Sequence, residues 1–200
     1  VSGKKLEKWK TTGSEYLVRA DFLKLRVDSC LTPGGHWIER QYVLEFKDWA
    51  NCFVIDDSGD VVAVRHYRHG AEDYVLELVS GAIEPGEAPI DGMKRELAEE
   101  IGYTGGEMYQ TGVSYANPAT QNNKVHSFLA IGGRCSQPQR LEPGETLFIE
   151  KYPFFRFMDI VRDQDAGAIY QSMHMGAVFF ALNFIERSSL EALQAFKAHI

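Results

Sequence analysis

The chain has 200 residues, 44% hydrophobic and 24% charged, enough for one domain with a sizeable core plus an appendage, and its net charge of −7 argues against a nucleic-acid-binding surface. Cys30, Cys52 and Cys135 are odd in number, widely spaced and without ligand-like pairing, so they read as buried or idle thiols in a reducing compartment. No apolar run approaches membrane-spanning length and the first five residues lack the apolar segment of a signal peptide, so the expectation is a cytoplasmic protein without a membrane partner.

Residues 15–30 and 37–46 are rich in Val, Leu, Phe and Tyr and flank Pro33-Gly34-Gly35, which predicts a long hairpin. Residues 52–55 and 61–67 form short apolar strands joined by the turn-rich Asp56-Asp57-Ser58-Gly59-Asp60. The second runs into Arg65-His66-Tyr67-Arg68-His69-Gly70, either a strand end in solvent or a cluster that pairs with phosphate through guanidinium. Residues 74–78 predict another strand.

Residues 81–88 are a glycine-punctuated loop, and the stretch after them reads as a helix with Pro89 near its start and Gly102 as its C-terminal cap. Ile90, Met93, Leu97 and Ile101 fall on one stripe that must face a core. Glu96 and Glu100 lie one turn apart on another face, flanked by Glu99, and Arg95 stands beside them. Three carboxylates on two turns with few cations suit a hard, oxygen-preferring cation; the same pattern also describes an acidic surface helix.

Further on, residues 108–115 and 124–131 are strand-like, separated by the amide-rich 116–123, either a surface loop or a lid over ribose and phosphate. A polar loop at 137–144 precedes a strand at 145–152. Helices are expected at 157–163, 172–187 and 189–199, the last opened by a capping box, Ser188-x-x-Glu191. His174 reads as a helix-packing residue. The element order predicts an α/β sandwich with a mixed sheet between helices.

The spacing Gly81, five residues, Glu87, seven residues, then Arg95-Glu96-Leu97-Ala98-Glu99-Glu100-Ile101-Gly102-Tyr103 resembles the signature of the Nudix hydrolases at every fixed position. The resemblance implies a Nudix-type α/β/α sandwich over residues 51–200 and hydrolysis of a nucleoside diphosphate linked to another moiety. It carries over Glu96, Glu99 and Glu100 as catalytic metal ligands for Mg²⁺ or Mn²⁺, Glu87 and Arg95 in support, and the Ser80 carbonyl as a further ligand. In relatives, an acidic residue near the 137–144 loop acts as ligand or base. Glu145 is the preferred ligand and Glu142 a candidate base, unless both are solvated loop residues.

Within the superfamily, Tyr67-Arg68, Glu77 and the placement of Pro118 resemble the enzymes acting on ADP-ribose and nucleoside diphosphate sugars; His66, Val79 and Ser80 depart from their pattern. Arg68, Glu77, Asn117, Pro118 and Gln121 are therefore expected at the substrate, a nucleoside diphosphate sugar. Such enzymes carry an N-terminal antiparallel β extension, here residues 1–50, that contributes to a homodimer. Two alternatives stand beside this reading: a Nudix hydrolase of dinucleoside polyphosphates or coenzyme A, and a sensor that binds a nucleotide sugar without cleaving it.

Overall fold

A computed structural model describes residues 6–163 and 171–200. The chain divides into two compact units, one of residues Val1–Lys47 with Tyr115–Lys124, the other of Asp48–Ser114 with Val125–Ile200.

The first unit is built on an antiparallel sheet, β1 (Lys10–Arg19), β2 (Lys24–Leu31) and β3 (Trp37–Glu45), with β2 central. The stretch 15–30, which reads as one strand, is two: the Ala20 N–H donates to Leu23 O (2.9 Å), and the polar Asp21 takes the turn. On β2, Asp28 is buried yet satisfied, accepting from Arg26 Nε (2.9 Å), Arg26 Nη2 (3.0 Å) and Ser14 Oγ (2.6 Å). Arg26 also pairs with Glu45 on β3.

Segment 115–124 completes this unit instead of following the strands it connects. Leu44 N–H donates to Thr120 O (2.7 Å), and Gln121 bridges Leu44 in parallel. Backbone groups left open along β3 are thereby paired, which explains why an amide-rich loop is long.

The second unit holds an eight-stranded mixed sheet. Its strands are β4 (Trp49–Asp56), β5 (Asp60–Arg68), β6 (Asp73–Glu77), β7 (Val79–Ala82), β8 (Tyr103–Thr104), β9 (Glu107–Tyr115), β10 (Lys124–Cys135) and β11 (Leu147–Pro153). The order is β11-β5-β4-β10-β8, with β6 on β5, β7 on β4 and β9 on β10; β4 and β10 run parallel, and β4 and β5 antiparallel. Alternation along β4 sends Cys52 and Val54 to one face, Phe53 and Ile55 to the other. The first face packs on α1 (Pro89–Ile101), the second on α2 (Phe154–Asp163) and α3 (Ser172–Arg187). This is the expected α/β/α arrangement around a mixed sheet.

Helix α1 forms where its stripe predicts. Met93, Leu97 and Ile101 are fully buried, each stabilising the sheet–helix contact by about 1.5–3 kcal/mol. The helix stops at Gly102, whose φ of 59° is left-handed and whose Cα lies against the Gln137 carbonyl, leaving no room for a side chain.

Near the carboxyl end the sequence reading needs two corrections. Helix α2 starts at Phe154, directly after Pro153 ends β11, and not at residue 157. The stretch 189–199 is a single turn, α4 (Glu191–Gln194), followed by a 3₁₀ turn, Lys197–His199. The capping box does not form: Ser188 Oγ accepts from Leu190 N–H (3.1 Å), and Leu190 becomes the N-cap. Burial of Leu193 and the packing of Phe196 on Phe154, 4.8 Å between ring centroids, accompany this break. Among the described residues, no helix is long and apolar enough to cross a membrane.

Candidate active site

The site is built on the face of the sheet that α1 covers. Arg95 is its hub. Nε and Nη2 each meet a Glu87 carboxylate oxygen at 3.1 Å; Nη2 donates to Ala82 O (3.0 Å), and Nη1 reaches Glu96 (2.8 Å) and Glu99 (3.2 Å). One guanidinium thus ties the glycine loop to the helix, a job suited to its fixed fork of donors. Glu87 in turn accepts from Glu84 N–H (2.9 Å), and Arg95 together with this bond holds its pKa below the ordinary carboxylate value.

Two glycines explain the loop's composition. The Glu96 carboxylate lies directly against the Cα of Gly81, in the space any side chain there would fill, and Gly92 admits Glu87 in the same way. Sequence reasoning placed these glycines but not the contacts that require them.

Glu96 and Glu100 are the two carboxylates turned toward the sheet. Burial raises the pKa of Glu96 despite Arg95. Glu100 is 4% exposed, and burial, reinforced by the charges of Glu96 and Glu145, pushes its pKa well up. The Ser80 backbone N–H works against this rise, while Glu100 Oε2 is buried without a hydrogen-bond partner. Ser80 sits on β7 opposite Asn51 of β4. Glu99 is more open to solvent, 37% exposed at its side chain.

Beyond this pair, Arg68 at the end of β5 grips Glu77 of β6, with Nε to Oε1 at 3.0 Å and Nη2 to Oε2 at 2.6 Å. Glu77 is 1% exposed, so its carboxylate sets the attitude of Arg68. His66, on the same strand face, is buried, and burial lowers its pKa. His174 on α3 is fully buried, with its pKa depressed to about 3 chiefly by desolvation. Its Nδ1 accepts Leu78 N–H (2.8 Å), so this helix-packing residue fastens α3 to the sheet.

Glu145 lies close enough to Glu96 and Glu100 to act on the charge of both. Its Oε2 accepts Glu142 N–H (2.9 Å). Glu142 is exposed on that turn. Asn117, Pro118 and Gln121 belong to the N-terminal unit, where Asn117 O accepts Thr120 N–H (3.1 Å) and Gln121 N–H (2.7 Å).

The ligand set expected from sequence is not preassembled. Among the described residues, no three His, Cys, Asp or Glu side chains converge tightly enough to hold a metal ion. Arg95 draws Glu96 and Glu99 to itself. The donors nevertheless fit a hard divalent cation: they are oxygens, and one of them, Glu100 Oε2, is buried and unpaired.

The chain resembles known proteins along most of its length. A NUDIX domain model matches residues 46–174, and a model described as the nucleoside diphosphate sugar hydrolase N-terminal domain matches residues 9–43. The ADP-ribose pyrophosphatase of Bacillus subtilis (strain 168) is 29% identical over 190 residues, 94% of this chain and 97% of that protein. The methanol dehydrogenase activator of Bacillus methanolicus is 30% identical over 129 residues, 64% of this chain and 69% of its own. A crystal structure of an ADP compounds hydrolase superposes with a TM-score of 0.74 at 20% identity, covering 92% of this chain and 97% of that one. With the domain model spanning most of the chain and each fixed signature position filled, the protein belongs to the Nudix hydrolase family.

Proposed function

We propose that the protein hydrolyses the pyrophosphate bridge of ADP-ribose and related nucleoside diphosphate sugars, giving a nucleoside monophosphate and a sugar phosphate, with Mg²⁺ or Mn²⁺ as cofactor. The observation that carries this reading is the buried Glu100 with the half-buried Glu96 one turn away, beside Arg68 and with Glu145 within electrostatic reach. The substrate class is supported by the end-to-end likeness to an ADP-ribose pyrophosphatase and by the N-terminal model.

Glu96, Glu99, Glu100 and the Ser80 carbonyl would hold the cofactor, with Glu145 completing the set. Such an ion supplies positive charge against the bridge phosphates and acidifies water. Arg95 keeps Glu87 and the Ala82 carbonyl in register with the helix as its grip on Glu96 and Glu99 is released. Arg68, held from behind by Glu77, presents its outward N–H groups to a phosphate oxygen, where a preset donor costs no reorganisation. Glu142 takes the proton of the attacking water. Asn117, Pro118 and Gln121 contact the substrate.

The N-terminal extension, residues 1–50, makes a homodimer in this reading. Leu17, Val18, Trp37 and Tyr42 on its strands and Phe22 in its first turn are exposed, apolar side chains that a second copy would cover. Three free cysteines suit the reducing cytoplasm.

The deciding experiment compares kcat/KM for ADP-ribose, GDP-mannose, UDP-glucose, a diadenosine polyphosphate and coenzyme A under one metal condition. ADP-ribose should be best or nearly best, with the other nucleotide sugars also cleaved. A diadenosine polyphosphate or coenzyme A exceeding every nucleotide sugar by about tenfold, the range a merely apolar pocket can produce, overturns the substrate assignment. Binding of ADP-ribose without hydrolysis of any compound overturns the enzymatic one.

A further inference from the structure

The end of α1 that carries the carboxylates is held by a segment remote in sequence. The last carbonyls of any helix lack intrahelical donors and must be paired elsewhere or left to water. Here Gly102 O accepts from Ser136 N–H (3.0 Å) and Gln137 N–H (3.1 Å), and Glu99 O accepts from Arg140 N–H (2.8 Å). Glu100 O accepts from the side-chain amide of Gln139, at Nε2 (2.7 Å). The carbonyls of the two residues that end the signature's acidic run are thus both capped by adjacent positions of one loop. Leu141 then packs into the core beneath α1, and four residues later the same loop delivers Glu145.

We propose that residues 136–145 act as a strap that sets the carboxylate end of α1 and Glu145 in one register, with the Gln139 amide as a positioning residue. The proposal rests on the reading of Glu99, Glu100 and Glu145 as cation ligands. Its logic is mechanical. A helix end without donors frays, and an ångström of drift in Glu99 or Glu100 relative to Glu145 spoils a site whose donors sit on two separate segments. The charges of Glu96, Glu100 and Glu145 repel one another, so an opposing tether is needed to keep them together. Gln139 is exposed, and nothing in its exposure or position within a polar loop distinguishes it from its neighbours.

The test measures Mn²⁺ binding without substrate, from the electron paramagnetic resonance of free Mn²⁺, and then kcat and KM at saturating Mn²⁺. The proteins are wild type, Gln139→Met, Gln139→Lys and Arg140→Pro. Gln139→Met keeps length and loses the donor; it should bind Mn²⁺ about fivefold more weakly, as expected for one lost hydrogen bond. Its kcat should fall about tenfold with KM unchanged, since the drift affects the reacting geometry and not substrate uptake. Gln139→Lys retains a donor and should match wild type. Arg140→Pro removes the N–H on Glu99 O and should resemble Gln139→Met, so it decides the matter if the latter fails to melt cooperatively. The strap is refuted if wild type binds Mn²⁺ and Gln139→Met equals it, or if Gln139→Lys is as impaired as Gln139→Met. Absence of Mn²⁺ binding by wild type refutes instead the ligand reading on which the strap depends.

Discussion

Replacing Arg95 by Met removes the one guanidinium that three carboxylates share. The losses are the two 3.1 Å contacts to Glu87, those of 2.8 Å to Glu96 and 3.2 Å to Glu99, and the 3.0 Å bond to Ala82 O. Glu96 and Glu87 are only 13% and 17% exposed at their side chains, against 37% for Glu99, so the first two bear most of the cost. Breaking a buried pair costs about 3–5 kcal/mol and an exposed one about 0–1; with Arg95 itself near one-third exposed, about 2–3 kcal/mol is expected. For a chain of this size that lowers the melting temperature by about 4–12 °C. The deficit should shrink in acid. The folded pKa of Glu87 is depressed by Arg95, so its stabilisation is present above its ordinary 4.5 and is lost as pH falls through the folded value. In the variant, uncompensated Glu96 protonates more readily, which relieves strain in the same direction. Thermal melts of both proteins near pH 8 and again in mild acid measure this. A change under about 2 °C near pH 8, or a gap that widens in acid, refutes the hub assigned to Arg95.

Three further outcomes are expected. Glu100→Gln keeps shape and removes a ligand charge, so turnover at limiting metal should fall about 10²–10³-fold. Because the folded pKa of Glu100 is raised, its charged form becomes a burden as pH rises above 4.5, and the variant should melt no lower than wild type at neutral pH; near-normal turnover sinks the site assignment. His174 is neutral in the fold with a pKa near 3, so the stability it contributes is present above 6.5 and is lost as pH falls toward 3. His174→Leu should flatten that slope while costing about 1–3 kcal/mol for the orphaned Leu78 N–H, and denaturant titrations across that pH range showing an unchanged slope contradict it. Light scattering should find a dimer for the full chain and a monomer for a chain begun at Lys47; a monomeric full chain at micromolar concentration removes the dimerisation proposal.

The signature helix was legible because everything it needs is local. An apolar stripe, a proline at the start, a glycine at the end and carboxylates one turn apart follow from helical periodicity alone, and Arg95 reaches its partners within one loop and two turns. The alternation of the strands and the turn at Asp56-Asp57-Ser58-Gly59-Asp60 are equally short-range properties. What sequence left undecided depends on segments far apart in the chain. That Glu77 holds Arg68 depends on β5 and β6 putting both side chains on one face, with Arg68 reaching back from its place opposite Asp73, and that Gln139 caps Glu100 follows from where β10 ends. The 116–123 loop reads from sequence as either a surface loop or a lid, because its amides suit a turn and a ligand equally; the Leu44 bonds to Thr120 and Gln121 add that it belongs to the N-terminal unit. The last helix breaks where burying Leu193 and stacking the partly buried Phe196 on Phe154 outweigh a capping pattern worth about 1 kcal/mol. Periodicity and caps act over a few residues and are written in order along the chain. Pairings between distant segments are chosen by the packing of the whole core, and no short stretch records that choice.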